Sequence, residues 1–186
     1  AKASRHAENN PLALFLKVVT VEQVLADVQV WPGVMTRLMA CPPTCGAAAA
    51  VLVSEDYARR RGLDSTVHIL AQAMTTDSAS TFGRSMISLV GADMAKAAAD
   101  SVYEQAGIGP GDIDVCELHD CFAHNELISY EALGFCAPGE AARFVADADN
   151  TYGGSVVTNP SGGLLSKGHP LGATGLAQCF ELTQQL

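Results

Sequence analysis

The stretch ELHDCFAHNE, Glu117 to Glu126, carries two histidines, a cysteine and four acidic or amide side chains in ten residues. It follows the apolar run IDVC and precedes LISYEALG, which reads as a helix. Cys121 and His124, at i and i+3, can share one face of a helical turn, while His119 belongs to the end of the preceding strand. Three chemistries fit these residue types. A zinc site needs a third and a fourth ligand in range, and Asp120 and Glu117 are expected to point elsewhere. A Cys–His pair is chemically sound, because an imidazole lowers a thiol pKa toward neutrality. A loop of purely structural polar groups is the third, and spacing alone leaves all three open.

A second segment, NPSGGLLSKGHPLGATGL, runs from Asn159 to Leu176. Its glycines at 162, 163, 168, 172 and 175 let a backbone approach a ligand closely, and Pro170 suits the first turn of a helix. The residue before a proline is pushed out of the α region, so His169 is expected to be extended at a helix entrance, where the helix N-terminus favours a developing oxyanion. Familiar loops are excluded. The spacing from Gly163 to Gly168 is that of a Walker loop, but His169 stands where Lys is required. The Rossmann spacing fails, and Asn159 replaces the first glycine of G-x-S-x-G around Ser161. Taken alone, G-H-P also reads as a glycine-rich turn whose histidine caps a helix.

What positions these segments is an alternation of strands and helices. Residues 47–53 (AAAAVLV) and 66–74 (TVHILAQAM) read as buried strands, 112–118 (DIDVCEL) as a third and 155–158 (SVVT) as a fourth. Between them Ser54 can cap a short helix ending before Gly62. A longer helix runs through GADMAKAAADSVYEQ to Gly107, and others through NELISYEAL and LAQCFELTQQL. Earlier, Thr20 and Gln23 can form a capping box, and Trp31-Pro32-Gly33 breaks the chain. Such alternation implies an α/β fold, a mostly parallel sheet covered by helices, with ligands outside the carboxyl ends of the strands. Both chemically dense segments lie there. If they converge, they make a thiol–imidazole site with oxyanion donors.

Composition narrows the classes. A formal net charge of -9 in 186 residues argues against a general nucleic-acid surface, though local groups can still hold a ligand with a few phosphates. No apolar run approaches the ~20 residues of a membrane span, and the first residues lack the apolar core of a signal peptide. The six cysteines sit in apolar or helical contexts and read as reduced thiols of an intracellular protein. Cys41 and Cys45 form C-x3-C, read as structural because no second Cys/His pair of matching spacing accompanies them. The last helix stops within its apolar spacing, as in a chain that continues, so the sequence reads as a fragment.

GGLLSKGHPLGATG resembles the Gly-His-Pro motif of the thiolase superfamily. HDCF at 119–122, with NEL and YEALG after it, resembles the sterol-carrier-protein-type branch, where HDCF replaces the Asn-Glu-Ala-Phe motif of other thiolases. DNTYGG…NPSGGLLSKGHPLGATGLAQC is similar to that branch nearly throughout. The likeness is close from Pro42 onward and loose before it. It implies a thiolase-like fold of two βαβαβ halves, with residues 42–186 forming the incomplete C-terminal half and residues 1–41 a remnant of the loop region before it. It also implies CoA-dependent retro-Claisen cleavage of 3-oxoacyl-CoA through an acyl-cysteine, in lipid or sterol side-chain degradation. His169 would activate the nucleophilic cysteine and help bind a thioester oxygen. His119 would complete that oxyanion hole through a water, and Cys121 would be the acid/base at the enolate. Asn159, Gly162, Gly163, Gly168 and Gly172 would form the substrate and oxyanion loop. No bound cofactor or metal is expected, and coenzyme A is the co-substrate.

The resemblance further implies a homo-oligomer, dimer or tetramer, without nucleic acid or membrane span, cytoplasmic in a bacterium and peroxisomal in a eukaryote. Nothing before Cys41 is similar to the nucleophile's motif, so this chain alone is expected to be inactive. Thr44-Cys45-Gly46 departs from the family, which commonly has an acidic residue before that glycine. The alternative is a thiolase-like subunit with a scaffold or aldolase-type role on acyl-CoA thioesters.

Overall fold

A short parallel ladder ties the middle of the chain to its last third. In the computed structural model, which describes residues 1–64, 66–83 and 85–186, strand β3 (Val115–Cys116) pairs with β4 (Val157–Thr158) in parallel. Val115 lies opposite Val157 and Cys116 opposite Thr158. In chain order the elements before β3 are α1 (Lys2–Ala7), α2 (Val21–Leu25), β1 (Gln29–Trp31), β2 (Met35–Thr36), α3 (Glu55–Arg61), α4 (Met86–Leu89) and α5 (Ala92–Ala106). Helices α6 (Ala123–Ala132) and α7 (Ala141–Ala146) separate β3 from β4, and α8 (Gly163–Ser166) and α9 (Thr174–Gln185) follow it.

The helix boundaries follow local chemistry. Thr20 accepts from the Gln23 N–H, and Gln23 accepts from the Thr20 N–H, closing the capping box of α2. Ser54 accepts from the Tyr57 N–H at the start of α3, and Gly62 ends that helix at φ 61°. Gly107 ends α5 in the same left-handed way, at φ 69°. Trp31 ends β1, and Pro32, Gly33 and Val34 make the turn of an antiparallel hairpin between β1 and β2.

The apolar core gathers around the ladder. Leu118, Tyr130, Ala141, Phe144 and Val156 form one buried cluster, with the Tyr130 and Phe144 rings 5.1 Å apart. A buried polar knot lies beside it. The Lys2 ammonium donates to Glu126, Thr158 and the Tyr130 hydroxyl, and the Asn150 amide donates to that hydroxyl at 2.9 Å. A charge taken out of water needs such partners, so α1 is fastened to the ladder by its first residue, Lys2.

The two early strands expected from the sequence differ. Residues 47–53 and 66–74 carry no regular secondary structure and form no ladder among the described residues, and their apolar side chains stand largely exposed, Leu52 at 94% and Met74 at 98%. Apolar runs record what a segment tends to bury. A strand exists only where a neighbour takes its N–H and C=O groups, and none of the described segments does so here. The ladder of β3 and β4 is likewise shorter than the runs 112–118 and 155–158 suggest.

Candidate active site

Beyond β3 the chain continues extended from Glu117 to Asp120, and side chains alternate between faces. Leu118 and Asp120 turn inward, at 5% and 0% exposure. His119 is exposed and Cys121 half-buried on the other side. The inward residues stitch this segment to the loop after β4. The Leu118 N–H donates to Asn159 Oδ1 at 2.8 Å, and the Leu164 N–H donates to Asp120 Oδ1 at 2.7 Å. The Ser161 N–H and hydroxyl both donate to the Glu117 carboxylate, at 3.0 and 2.8 Å. Gln178 of α9 closes the seam by donating to the carbonyls of Glu117 and Leu118.

This seam brings the two histidines together. The rings of His119 and His169 meet edge to face with centroids 4.8 Å apart. Residues 40–44 tie the loops a second time. The Cys41 N–H donates to the Cys121 carbonyl at 2.8 Å, Pro43 bridges to His169, and the His169 N–H donates to Thr44 Oγ1 at 3.2 Å. Thr44 also explains Gly168, because a Cβ there would lie 2.9 Å from the Thr44 side chain, at a φ of +114°.

Two further glycines answer to contacts within the chain. At Gly163 a Cβ would fall 2.2 Å from Asp120 Oδ2 and 2.7 Å from Asn159 Nδ2. At Gly162 it would fall 2.5 Å from the Ala7 Cβ, because α1 rests directly on the loop. Gly172 is exposed with nothing within 4 Å of that position, so it makes no close approach within this chain. Asn159 is fully buried at φ 52°, with its Oδ1 held by Leu118 and its carbonyl by His6. It belongs to the wall of the site. His124 lies exposed on α6, lining a surface hollow with Trp31, Val34 and Met35.

Electrostatics sort the roles. Burial pushes the Cys121 thiol above its ordinary range, and nearby Cys41 adds to the shift, so the group is a protonated thiol at neutral pH. Such a group suits a proton donor better than an attacking thiolate. Burial lowers the pKa of His119, with His169 contributing, and lowers that of His169. Both imidazoles are neutral near pH 7 and can each offer one N–H and one lone pair. Asp120, between His119 and Cys121 in sequence, is pushed up to about 7 by burial and then by the charge of Glu126.

His6, Asp120 and Thr174 have no catalytic or binding role in the motif-based reading. His6 is 2% exposed, its Nδ1 3.0 Å from the Asn159 carbonyl and its Nε2 2.7 Å from Thr151 Oγ1, with the Tyr152 ring 4.7 Å away. Burial keeps it neutral. The inward phase of Asp120, two residues after Leu118, was a usable signal. No local pattern reveals His6, which lies more than a hundred residues from its partners.

Comparison with known proteins bears on the family of the chain. The family described as "Thiolase C-terminal domain-like" matches residues 73–186. The chain is 54% identical to "Sterol carrier protein 2" of Homo sapiens along its whole length, covering 34% of that protein. It is 36% identical to "Benzoylsuccinyl-CoA thiolase subunit BbsB" of Thauera aromatica, again over the whole chain and 47% of that protein. Among solved structures it matches a chain of the "Ltp2-ChsH2(DUF35) aldolase" at a TM-score of 0.79 and 26% identity, over 97% of this chain and 48% of that one. The chain thus spans about a third of the length of its human relative, and it belongs to the thiolase family, in that family's C-terminal domain.

Proposed function

We propose that residues 42–186 supply the C-terminal half of a thiolase acting on 3-oxoacyl-CoA, with coenzyme A as co-substrate and no resident cofactor. The observation that carries this reading is the meeting of the His119 and His169 rings from segments about fifty residues apart, with Cys121 two residues after His119. In the proposed reaction a cysteine outside this chain attacks the 3-carbonyl of the substrate, and His169 takes its proton. The bond between carbons 2 and 3 breaks, leaving an acyl-cysteine and an acetyl-CoA enolate. Cys121 gives its thiol proton to carbon 2 of that enolate, and His119 and His169 offer hydrogen bonds to the thioester oxygen on which charge collects. The thiol of incoming coenzyme A then takes the acyl group, its proton returning to the site. The high thiol pKa of Cys121 supports the donor role.

A second reading is favoured by one observation, the likeness to a chain of an aldolase assembly. In that case the same residues serve a retro-aldol cleavage of a 3-hydroxyacyl thioester, without an acyl-cysteine and without consuming coenzyme A. The two are separated by assaying the full-length protein for cleavage of 3-oxoacyl-CoA with and without free coenzyme A. The thiolase reading predicts cleavage only with coenzyme A and stoichiometric formation of a shortened acyl-CoA. Cleavage of a 3-hydroxyacyl thioester to an aldehyde or ketone, indifferent to coenzyme A, favours the alternative.

A further inference from the structure

Thr174 opens α9, is 4% exposed, and touches the imidazole of the Gly-His-Pro segment. Its Oγ1 lies 2.8 Å from His169 Nδ1 and 3.1 Å from the carbonyl oxygen of Pro170. A hydroxyl has one hydrogen to give and two lone pairs to receive with. The Pro170 carbonyl can only accept, so the contact with it uses the hydroxyl hydrogen. In that arrangement what remains for the imidazole is a lone pair, and the hydrogen between the two sits on Nδ1. A neutral imidazole carries one N–H, which leaves the lone pair on Nε2, in the ring that meets His119 edge to face.

We propose that Thr174 is a positioning residue that fixes His169 in its Nδ1–H tautomer, leaving Nε2 as the nitrogen that receives the proton of an attacking thiol. The consequence for catalysis rests on the role given to His169 above. The tautomer itself does not. Branching at Cβ narrows the rotamers of Thr174, and its bond back to the carbonyl four residues earlier holds Oγ1 under the ring. The depressed pKa of His169 keeps the ring neutral near pH 7, the state in which a tautomer has meaning. The competing arrangement turns the hydroxyl toward Nδ1. Pro170 would then keep the N–H groups of Ala173 and Thr174, at 2.8 and 3.0 Å, which fill its two lone pairs, and Nε2 would become a donor.

Nitrogen-15 NMR of full-length protein decides between them, with the His169 signals assigned by their loss in His169→Gln. In the unsubstituted protein Nδ1 should show the protonated-type shift and Nε2 the bare type. Thr174→Val removes the acceptor at nearly constant shape, so the proton should move toward Nε2 and kcat should fall roughly tenfold, with KM within about a factor of two. Thr174→Ser should restore both tautomer and rate. A protonated Nε2 in the unsubstituted protein, or an unchanged tautomer in Thr174→Val, overturns the proposal. A changed tautomer with unchanged kcat upholds the positioning by Thr174 and overturns the base role of His169. Should Thr174→Val not fold, the spectra of the unsubstituted protein and of Thr174→Ser carry the decision alone.

Discussion

At the scale of single residues, the site is governed by groups whose charge is suppressed. Asp120 stands out, because its carboxyl is pushed up to about 7 by burial first and by Glu126 second, whereas an unfolded chain ionises it near 4. Folding therefore takes up a proton between those values. The stability that Asp120 contributes is full below about pH 4 and is lost as pH rises through about 7. Asparagine cannot ionise, and its Oδ1 can still accept from the Leu164 N–H. Asp120→Asn should therefore gain stability relative to the unsubstituted protein between pH 5 and pH 8, as read from urea midpoints. The lowered pKa values of His6, His119 and His169 act in the opposite sense but are common to both proteins. A stability difference that shrinks or stays constant over that range contradicts the assignment. His119, Cys121 and His169 were legible in the sequence because their motifs are local. Asp120, His6 and Thr174 acquire their roles only from contacts that folding makes.

At the scale of elements, the site is a seam between two strand ends, closed on one side by α1 and on the other by residues 40–44. Helix α1 was the element whose importance sequence reasoning missed, since its six residues carry no apolar stripe. Its place is fixed by Lys2 in the polar knot, by His6 on Asn159 and by Ala7 against Gly162. Gly162→Ala tests that packing. A methyl group there would stand 2.5 Å from the Ala7 Cβ, at a φ of +95° that disfavours any side chain. Overpacking and left-handed strain together predict a loss of about 2–4 kcal/mol. An unchanged urea midpoint would show that α1 does not rest on this loop. The capped helices were readable because a cap lies within four residues of what it satisfies. The strands expected at 47–53 and 66–74 were not settled by their own residues, because pairing depends on a neighbour elsewhere in the chain.

At the scale of the whole molecule, the chain brings together two neutral imidazoles and holds a protonated thiol two residues from one of them. It spans about a third of the length of its human relative, and the apolar side chains of residues 47–53 and 66–74 stand exposed. Among the described residues no helix is long and apolar enough to cross a membrane. The claim on which the account depends is that Cys121 donates the proton that the departing enolate needs. The most direct measurement is the steady-state rate of CoA-dependent 3-oxoacyl-CoA cleavage by full-length protein, with and without Cys121→Ala. Loss of a positioned acid predicts a fall in kcat of about 10²–10⁴-fold in a protein that remains folded. Full activity in Cys121→Ala would contradict the account.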